Sequence, residues 1–191
     1  HRDTEGVGWS SPHDLSMLEW AGEPLRDLFA PVLEVAKQVT TLSQRCGQST
    51  ARPDWDVVEV WANVQRTGGA NAAHSHPGSF WAGVYYVDVG EVCSTKEKGG
   101  ELQIYDPRGC LPRMLAPYLQ YSMSELHDAG TSISYTPVSG QCVLFPGWLF
   151  HAVNTYHGMA PRISVAFNLD PVLAPGMMNG APKHSVSEYR R

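Results

Sequence analysis

Two histidines one residue apart, His74 and His76, stand just before a Pro-Gly turn and an aromatic segment in NAAHSHPGSFWAGVYYV. If this stretch is extended, residues two apart project from the same face, so both imidazoles point one way. Neutral imidazole is the commonest metal ligand in proteins. The pair therefore indicates a metal site, although surface or hydrogen-bonded histidines produce the same pattern.

An arginine and a serine with matching parity begin the segment RISVAFNL, at Arg162 and Ser164. Both side chains face the same side of the predicted strand. A buried guanidinium is costly unless it is paired, and its planar fork matches a carboxylate. The pattern favours a site for a carboxylate ligand. The alternatives are an ion pair with a nearby aspartate and a position in water at the rim of a barrel.

The elements that must position these residues change type along the chain. From Pro24 to Cys46, apolar residues recur every three or four positions, as on one face of an amphipathic helix, and Pro31 is expected to kink or split it. That face comprises Leu25, Leu28, Phe29, Val32, Val35, Val39 and Leu42. After residue 54 the period becomes two. The strand candidates are DVVEVWANVQ (56–65), SFWAGVYYV (79–87), ELQIY (101–105), TSISYTPV (131–138), QCVLF (141–145) and RISVAFNL (162–169).

A helix followed by many short strands predicts an antiparallel barrel or sandwich with the helix outside. Within the strand region, four blocks resemble, in order, those of the Fe(II)- and 2-oxoglutarate-dependent oxygenases, in particular the prolyl-hydroxylase-like branch. The blocks are EVWANVQRTGGANAAHSH, AGVYYVD, GGELQIYDP, and FPGWLFHAV followed by RISVAFN. The chain is also similar to bacterial and phage proteins of this superfamily that share the HxHP and GVYY features. The resemblance implies a mainly β fold: a double-stranded β-helix, or jelly roll, with an N-terminal helix or helices packed on one sheet.

The resemblance implies that His74, His76 and a distal histidine, His151, bind Fe(II). In the superfamily the second residue of the first pair is normally aspartate, where this chain has His76. Two histidines and one carboxylate form the usual facial triad, so a third histidine leaves the iron with one more unit of positive charge. Asp106, at the end of the third block, is the alternative source of a carboxylate ligand, although an Asp-Pro after a strand is typical of a turn.

The resemblance also implies that Arg162 and Ser164, assisted by Tyr86, bind the far carboxylate of 2-oxoglutarate. Tyr86 shares parity with the histidine pair and reaches the same cavity if the segment stays extended; an ordinary core tyrosine is equally consistent. The implied reaction hydroxylates a C–H group of a small molecule or peptide with molecular oxygen and releases succinate and CO2. Two alternatives stay open: a three-histidine, cupin-like metalloenzyme that does not use 2-oxoglutarate, and a non-catalytic jelly-roll binding module.

The chain as a whole has the composition of an ordinary globular protein, with 191 residues, 42% of them hydrophobic and 17% charged. One domain is expected, with an N-terminal segment (1–53), a jelly-roll core (54–170) and a C-terminal tail (171–191). The loops 90–100 and 106–130 are expected to determine the substrate.

Charge and cysteine content narrow the partners and the compartment. The net charge of -5 argues against a nucleic-acid partner, and no apolar run reaches the ~18 residues of a membrane span. Four cysteines without a CxxC pair are typical of reduced thiols in a cytoplasmic protein. The identity of the substrate and the oligomeric state, a homodimer included, stay open.

Overall fold

The computed structural model describes residues 7–42, 52–92, 96–107 and 132–172. These segments form short and long β-strands and two α-helices, joined by turns. In chain order the elements are β1 (Gly8–Ser10), α1 (Ser16–Ala21), α2 (Glu23–Gln38), β2 (Asp54–Gln65), β3 (Asn71–His74), β4 (Trp81–Asp88), a 3₁₀ turn (Lys96–Lys98), β5 (Leu102–Tyr105), β6 (Ser132–Tyr135), β7 (Cys142–Pro146), β8 (His151–Val153) and β9 (Arg162–Val172).

Two antiparallel sheets form the body of the described structure. The large sheet has the strand order β1-β2-β9-β4-β7, and the small sheet has the order β3-β8-β5-β6. Ala82 of β4 and Phe145 of β7 pack with Leu102 of β5, so the two sheets share an apolar interior. This is the two-sheet arrangement of a jelly roll, as the sequence predicts.

Helix α2 is shorter than the helix predicted from Pro24 to Cys46. It ends at Gln38, and residues 43–51 lie outside the described part of the chain. Pro31 lies in its interior without splitting it. A short helix, α1, precedes it; its six residues are too few to show a period in the sequence.

The buried face of α2 follows steps of four, three and four residues. Phe29, on this face, meets the Phe167 ring of the large sheet edge to face, with 5.1 Å between the ring centroids. Val35, expected on the same face, is 47% exposed because the 3.6-residue turn carries it off the stripe. Val39, expected there too, is 61% exposed and lies past the end of the helix. The buried members are Leu25, Phe29, Val32 and Ala36.

Strand β9 separates the helices from the interior of the jelly roll. Val165, Phe167 and Leu169 pack in one cluster with the helices. Because side chains alternate along a strand, the residues between them face the small sheet. This inward row consists of Arg162, Ser164, Ala166 and Asn168.

Strand β2 runs beside β9 and contains a register shift between Val57 and Glu59. The extra residue, Val58, is 37% exposed, whereas Val60 is fully buried. The period of two predicts that these two valines share one face, and this prediction is wrong because the bulge moves Val58 out of the alternation.

The Gly-Gly pair before β5 marks a close approach of two backbone segments. Gly99 and Gly100 have φ values of 62° and 84°, in the left-handed region that favours glycine. A Cβ on Gly99 would overlap the carbonyl oxygen of Thr155, and one on Gly100 would lie against Val92 and the Tyr156 ring. Both positions therefore bring the start of β5 against the chain that follows β8.

Several predicted segments lie partly outside the described residues. Most of the predicted loop 106–130 does, as do residues 93–95 of the loop 90–100. Strand β9 continues to Val172, and the rest of the predicted tail is not described. Within the described ranges, neither helix has the length and apolar character needed to cross a membrane.

Candidate active site

Three imidazoles meet at one end of the small sheet. His74 ends β3, His151 begins β8, and these two residues are paired across the strands. His76 lies two residues past His74, in the turn that leads to β4. One ligand nitrogen from each of the three rings lies within 4.8 Å of those of the other two.

Backbone carbonyls orient two of these rings. The Nδ1–H of His74 donates to the carbonyl oxygen of Ala72 at 2.7 Å, and the Nδ1–H of His151 donates to that of Leu149 at 2.9 Å. A carbonyl can only accept, so Nδ1 carries the proton in both rings and Nε2 keeps its lone pair. Such backbone contacts are typical of metal-binding histidines, because they fix the tautomer and the ring orientation.

The site favours neutral imidazole. Burial, and then the nearby rings of His151 and His74, lower the pKa of His76 to about 4. Burial also lowers the pKa of His151. Neutral rings are the form that binds a metal, so protons do not compete strongly with a cation at these two positions near pH 7.

Aromatic rings surround the histidines on the side of the large sheet. The Phe145 ring lies 4.6 Å from that of His151, and the Trp61 ring lies 5.7 Å from that of His76. His13, for which no sequence pattern predicts a place here, stacks on Trp61 with 4.3 Å between the ring centroids. These rings cover part of the His76 and His151 imidazoles with apolar surface.

Arg162 is buried on the inner face of the large sheet, with 2% of its surface exposed. Its Nη1–H donates to Oε1 of Gln65 at 2.7 Å, while its Nε has no hydrogen-bond partner. In the described part of the chain, no carboxylate lies within ion-pair distance of the guanidinium. Burial lowers the pKa of Arg162. An ion pair with a nearby aspartate, the alternative left open by the sequence, is not found among these residues.

Tyr86 lies beside this arginine. Its ring centroid is 5.2 Å from Cζ of Arg162, and its buried hydroxyl has no hydrogen-bond partner. Burial raises the pKa of Tyr86 to about 12, against the opposing effect of the arginine charge. Ser164, 2% exposed, pairs with Tyr86 across the strands β9 and β4. The three residues form a compact buried group whose positive charge has no ion-pair partner among the described residues.

The reason given for Tyr86 from parity does not apply. The chain turns at Pro77 and Gly78, where Gly78 has a φ of 101°, so the segment from His74 to Tyr86 is not one extended strand. The histidines belong to the small sheet and Tyr86 to the large one. Tertiary packing, not alternation along one strand, brings Tyr86 next to Arg162.

Asp106 follows β5 directly and is partly buried. The group of potential metal ligands found among the described residues contains the three histidines and does not include this aspartate. The carboxylate alternative therefore has no support from the positions of these side chains.

Two amides that sequence reasoning missed complete the surroundings of Arg162. Gln65, at the end of β2, is 5% exposed, and its Nε2–H donates to Oδ1 of Asn71 at 2.9 Å. Both amides also line a cleft of about 310 Å³ between β1, the end of β2 and the turn before β3. The only sequence signal for Gln65 was a polar residue at the end of an alternating strand, which is equally typical of a solvated position.

Residues 59–168 match a protein-family model described as "Putative 2OG-Fe(II) oxygenase". The match covers more than half of the chain. The chain belongs to this family of 2OG-Fe(II) oxygenases. The superfamily predicted from the four sequence blocks is thereby confirmed, and Fe(II) and 2-oxoglutarate are the cofactors of this class of enzyme, with oxygen and an organic substrate as reactants.

Solved structures resemble the fold of this oxygenase at low sequence identity. An oxidoreductase of the 2OG-Fe(II) oxygenase family from Burkholderia pseudomallei has a TM-score of 0.51 and 12% identity, covering 78% of this chain and 55% of that one. The epimerase SnoN from nogalamycin biosynthesis has a TM-score of 0.52 and 13% identity, with coverages of 86% and 61%. AviO1 from Streptomyces viridochromogenes Tue57 has a TM-score of 0.52 and 13% identity, with coverages of 90% and 76%.

These likenesses confirm the jelly-roll fold. The present chain spans 55% of the length of the Burkholderia oxidoreductase and 61% of that of SnoN. Each of those proteins therefore has residues that this chain does not match. No curated protein sequence matches the chain.

Proposed function

We propose that this oxygenase hydroxylates a C–H group of an organic substrate, with His74, His76 and His151 as the ligands of Fe(II). The proposal rests chiefly on one arrangement: three imidazole nitrogens within 4.8 Å of one another, and a buried guanidinium without a carboxylate partner in the described structure. Such an arrangement suits a ligand that chelates a metal at one end and carries a carboxylate at the other.

The donor set fits an iron centre. Imidazole suits Fe, Zn, Cu and Ni, and three protein ligands on one side of an octahedral ion leave three positions open. Because an imidazole ligand, unlike a carboxylate, adds no negative charge, the ion would keep its full positive charge. A dianionic chelator such as 2-oxoglutarate offsets that charge, so replacing the usual aspartate by His76 is compatible with binding of the keto acid.

The second group fits the far end of the cosubstrate. The orphaned Nε of Arg162 and the orphaned hydroxyl of Tyr86 are both donors buried away from water. A carboxylate satisfies two such donors at once and neutralises the guanidinium. We assign Arg162, Ser164 and Tyr86 to this carboxylate.

The overall reaction balances one oxygen molecule between two products. Fe(II) held by the three histidines would supply the activation of O2. Overall, O2 takes two electrons from the oxidative decarboxylation of 2-oxoglutarate and two from the substrate C–H bond, so that one oxygen atom enters succinate and the other enters the substrate alcohol, with release of CO2. The protein positions the cosubstrate, supplies a positive charge and excludes water. Arg162 anchors the cosubstrate, and Phe145 and Trp61 limit the access of water to the histidines. The substrate is a small molecule or a peptide.

A three-histidine enzyme that does not use 2-oxoglutarate is the second candidate, and the ligand set itself favours it. In that case Arg162 binds a carboxylate of the substrate. The two candidates differ in whether the keto group of 2-oxoglutarate reaches the metal.

Anaerobic titration of the Fe(II)-loaded protein with 2-oxoglutarate tests the proposal. We expect a visible metal-to-ligand charge-transfer band, and in air the formation of succinate. Pyruvate, which has the same keto acid group but lacks the distal carboxylate, is expected to bind more weakly. Absence of both the band and succinate contradicts the proposal and supports the second candidate.

A further inference from the structure

We propose that Gln65, held by Asn71, is a positioning residue for the cosubstrate: it orients the Arg162 guanidinium through a neutral hydrogen bond and leaves its charge for the distal carboxylate. This inference rests on the proposed function and concerns two residues to which the family resemblance assigns no role.

The hydrogen bonds determine which way the Gln65 amide faces. Its Nε2–H donates to Oδ1 of Asn71 at 2.9 Å, so its Oε1 must face Arg162, whose Nη1–H it accepts at 2.7 Å. The Gln65 side chain is 5% exposed and sits across the strands from Arg162, in the register that pairs β2 with β9. The guanidinium is therefore held by one edge, while its Nε stays unpaired.

It matters that the Gln65 side chain carries no charge, because the site around it is largely shielded from water. A glutamate at this position would form a buried ion pair with Arg162, and a buried ion pair is strengthened by its low-dielectric surroundings. The distal carboxylate of the keto acid would then have to displace an internal anion. With an amide, the same hydrogen bond forms, but no negative charge competes for the guanidinium.

The Asn71 contact connects this anchor to the metal centre. Asn71 begins β3, and His74 ends the same strand. Strand β3 thus carries an amide that steadies the Arg162 group at one end and a proposed iron ligand at the other. Because one molecule of 2-oxoglutarate must reach both groups, this strand sets the spacing between its two points of attachment.

The decisive variant is Gln65→Glu, which has nearly the same shape and adds one negative charge. We expect its affinity for 2-oxoglutarate, measured anaerobically on the Fe(II) protein by the charge-transfer band, to fall at least about tenfold. Its affinity for pyruvate, which has no distal carboxylate, should stay within about twofold of that of the wild type. The variant therefore loses the preference for the dicarboxylate.

The control for the substitution itself is Gln103→Glu. Gln103 lies on β5, and its neighbour Leu102 faces the interior. The hydrogen-bond partners of Gln103 are the hydroxyls of Ser132 and Ser134, which can also donate to a carboxylate. The affinities of Gln103→Glu for both keto acids should match those of the wild type.

A second variant, Asn71→Leu, removes the acceptor that orients Gln65 and should weaken 2-oxoglutarate binding more than pyruvate binding.

The outcomes separate this inference from the proposed function. If the wild type binds 2-oxoglutarate and Gln65→Glu binds it equally well, the role of Gln65 is wrong and the proposed function stands. If Gln65→Glu loses both keto acids equally, its effect is on the fold or the metal, and the inference fails. If the wild type itself shows no preference for 2-oxoglutarate over pyruvate, both the assignment of Arg162 and this inference fall together.

Discussion

Where the oxygenase superfamily normally has an aspartate, this chain places His76, whose ring lies 5.1 Å from that of His151 and 5.2 Å from that of His74. At the scale of single residues, the site is a set of neutral donors facing a buried cation. Carbonyl contacts fix two of the imidazoles, and Gln65 fixes the arginine. The rings of His74 and His151 and the Arg162 guanidinium are thus oriented before any ligand arrives.

Replacement of His76 by alanine tests its assignment as a ligand. We expect His76→Ala to weaken binding of Fe(II), or of Co(II) as a stable substitute, by more than the roughly 10- to 100-fold that loss of an outer contact costs. His157→Ala, which changes an exposed histidine outside the group, should leave the affinity unchanged. Equal affinities in the wild type and His76→Ala would remove His76 from the ligand set.

The lowered pKa of His76 predicts how the metal-free protein responds to acid. The folded value is about 4, whereas an unfolded histidine titrates near 6.5. Between these values the unfolded chain binds a proton that the folded protein does not, so the free energy of unfolding should decrease as the pH falls from about 6.5 to about 4. Urea unfolding at several pH values measures this slope.

The matched variant for the pH series is His76→Gln, which keeps a polar side chain but cannot titrate. Its unfolding free energy should depend less on pH across the same window than that of the wild type. Identical pH dependence in the two proteins would show that His76 titrates normally in the folded state.

At the scale of elements, the two faces of the large sheet have different roles. One face of β9 packs against the helices through Val165, Phe167 and Leu169, and the other presents Arg162 and Ser164 to the interior. Helix α2 therefore packs behind the strand that carries the proposed anchor of the cosubstrate.

Substitutions in α2 test whether the helix stabilises the protein through its buried face. Phe29→Ala removes a side chain that is 4% exposed and should cost about 3–5 kcal/mol of unfolding free energy. Val35→Ala changes a residue of the same helix that is 47% exposed and should cost less than about 0.5 kcal/mol. Urea denaturation measures both; similar losses would mean that α2 does not pack as described.

At the scale of the whole molecule, the proposed site draws on both sheets. The proposed iron ligands come from β3, β8 and the adjoining turn, whereas Arg162, Ser164 and Tyr86 come from the large sheet. A ligand that spans both sites joins the halves of the jelly roll, and a ligand that reaches the metal alone does not.

This arrangement predicts unequal stabilisation by two keto acids. At about 100 times its dissociation constant, 2-oxoglutarate should add about 2.7 kcal/mol to the stability of the metal-loaded protein, a rise in Tm of roughly 5–10 °C. The same concentration of pyruvate should add clearly less. In Arg162→Lys, which keeps the charge but lacks the guanidinium fork, the difference between the two acids should shrink; equal shifts in the wild type would contradict a bridging role.

Local sequence patterns predicted the class of fold, and the resemblance to the oxygenases implied the proposed ligands. Alternation of period two, the HxH pair and the Arg-x-Ser segment are local patterns, because side-chain direction in a strand follows from position alone. The strands β2, β4, β5, β6, β7 and β9 were all predicted to within a few residues. Three strands were not: β1 and β8, whose three residues show no period, and β3, whose sequence NAAH does not alternate apolar and polar residues.

Only the tertiary structure decided which residues meet. The pairing of β3 with β8 brings His74 beside His151, and the pairing of β2 with β9 brings Gln65 beside Arg162, across long separations in the chain. The bulge at Val58 and the position of Ala36 on the buried face of α2 likewise depended on packing. A sequence pattern states which way a side chain points from its own strand; which neighbour it finds there depends on how the sheets register and close, and that is a property of the folded chain as a whole.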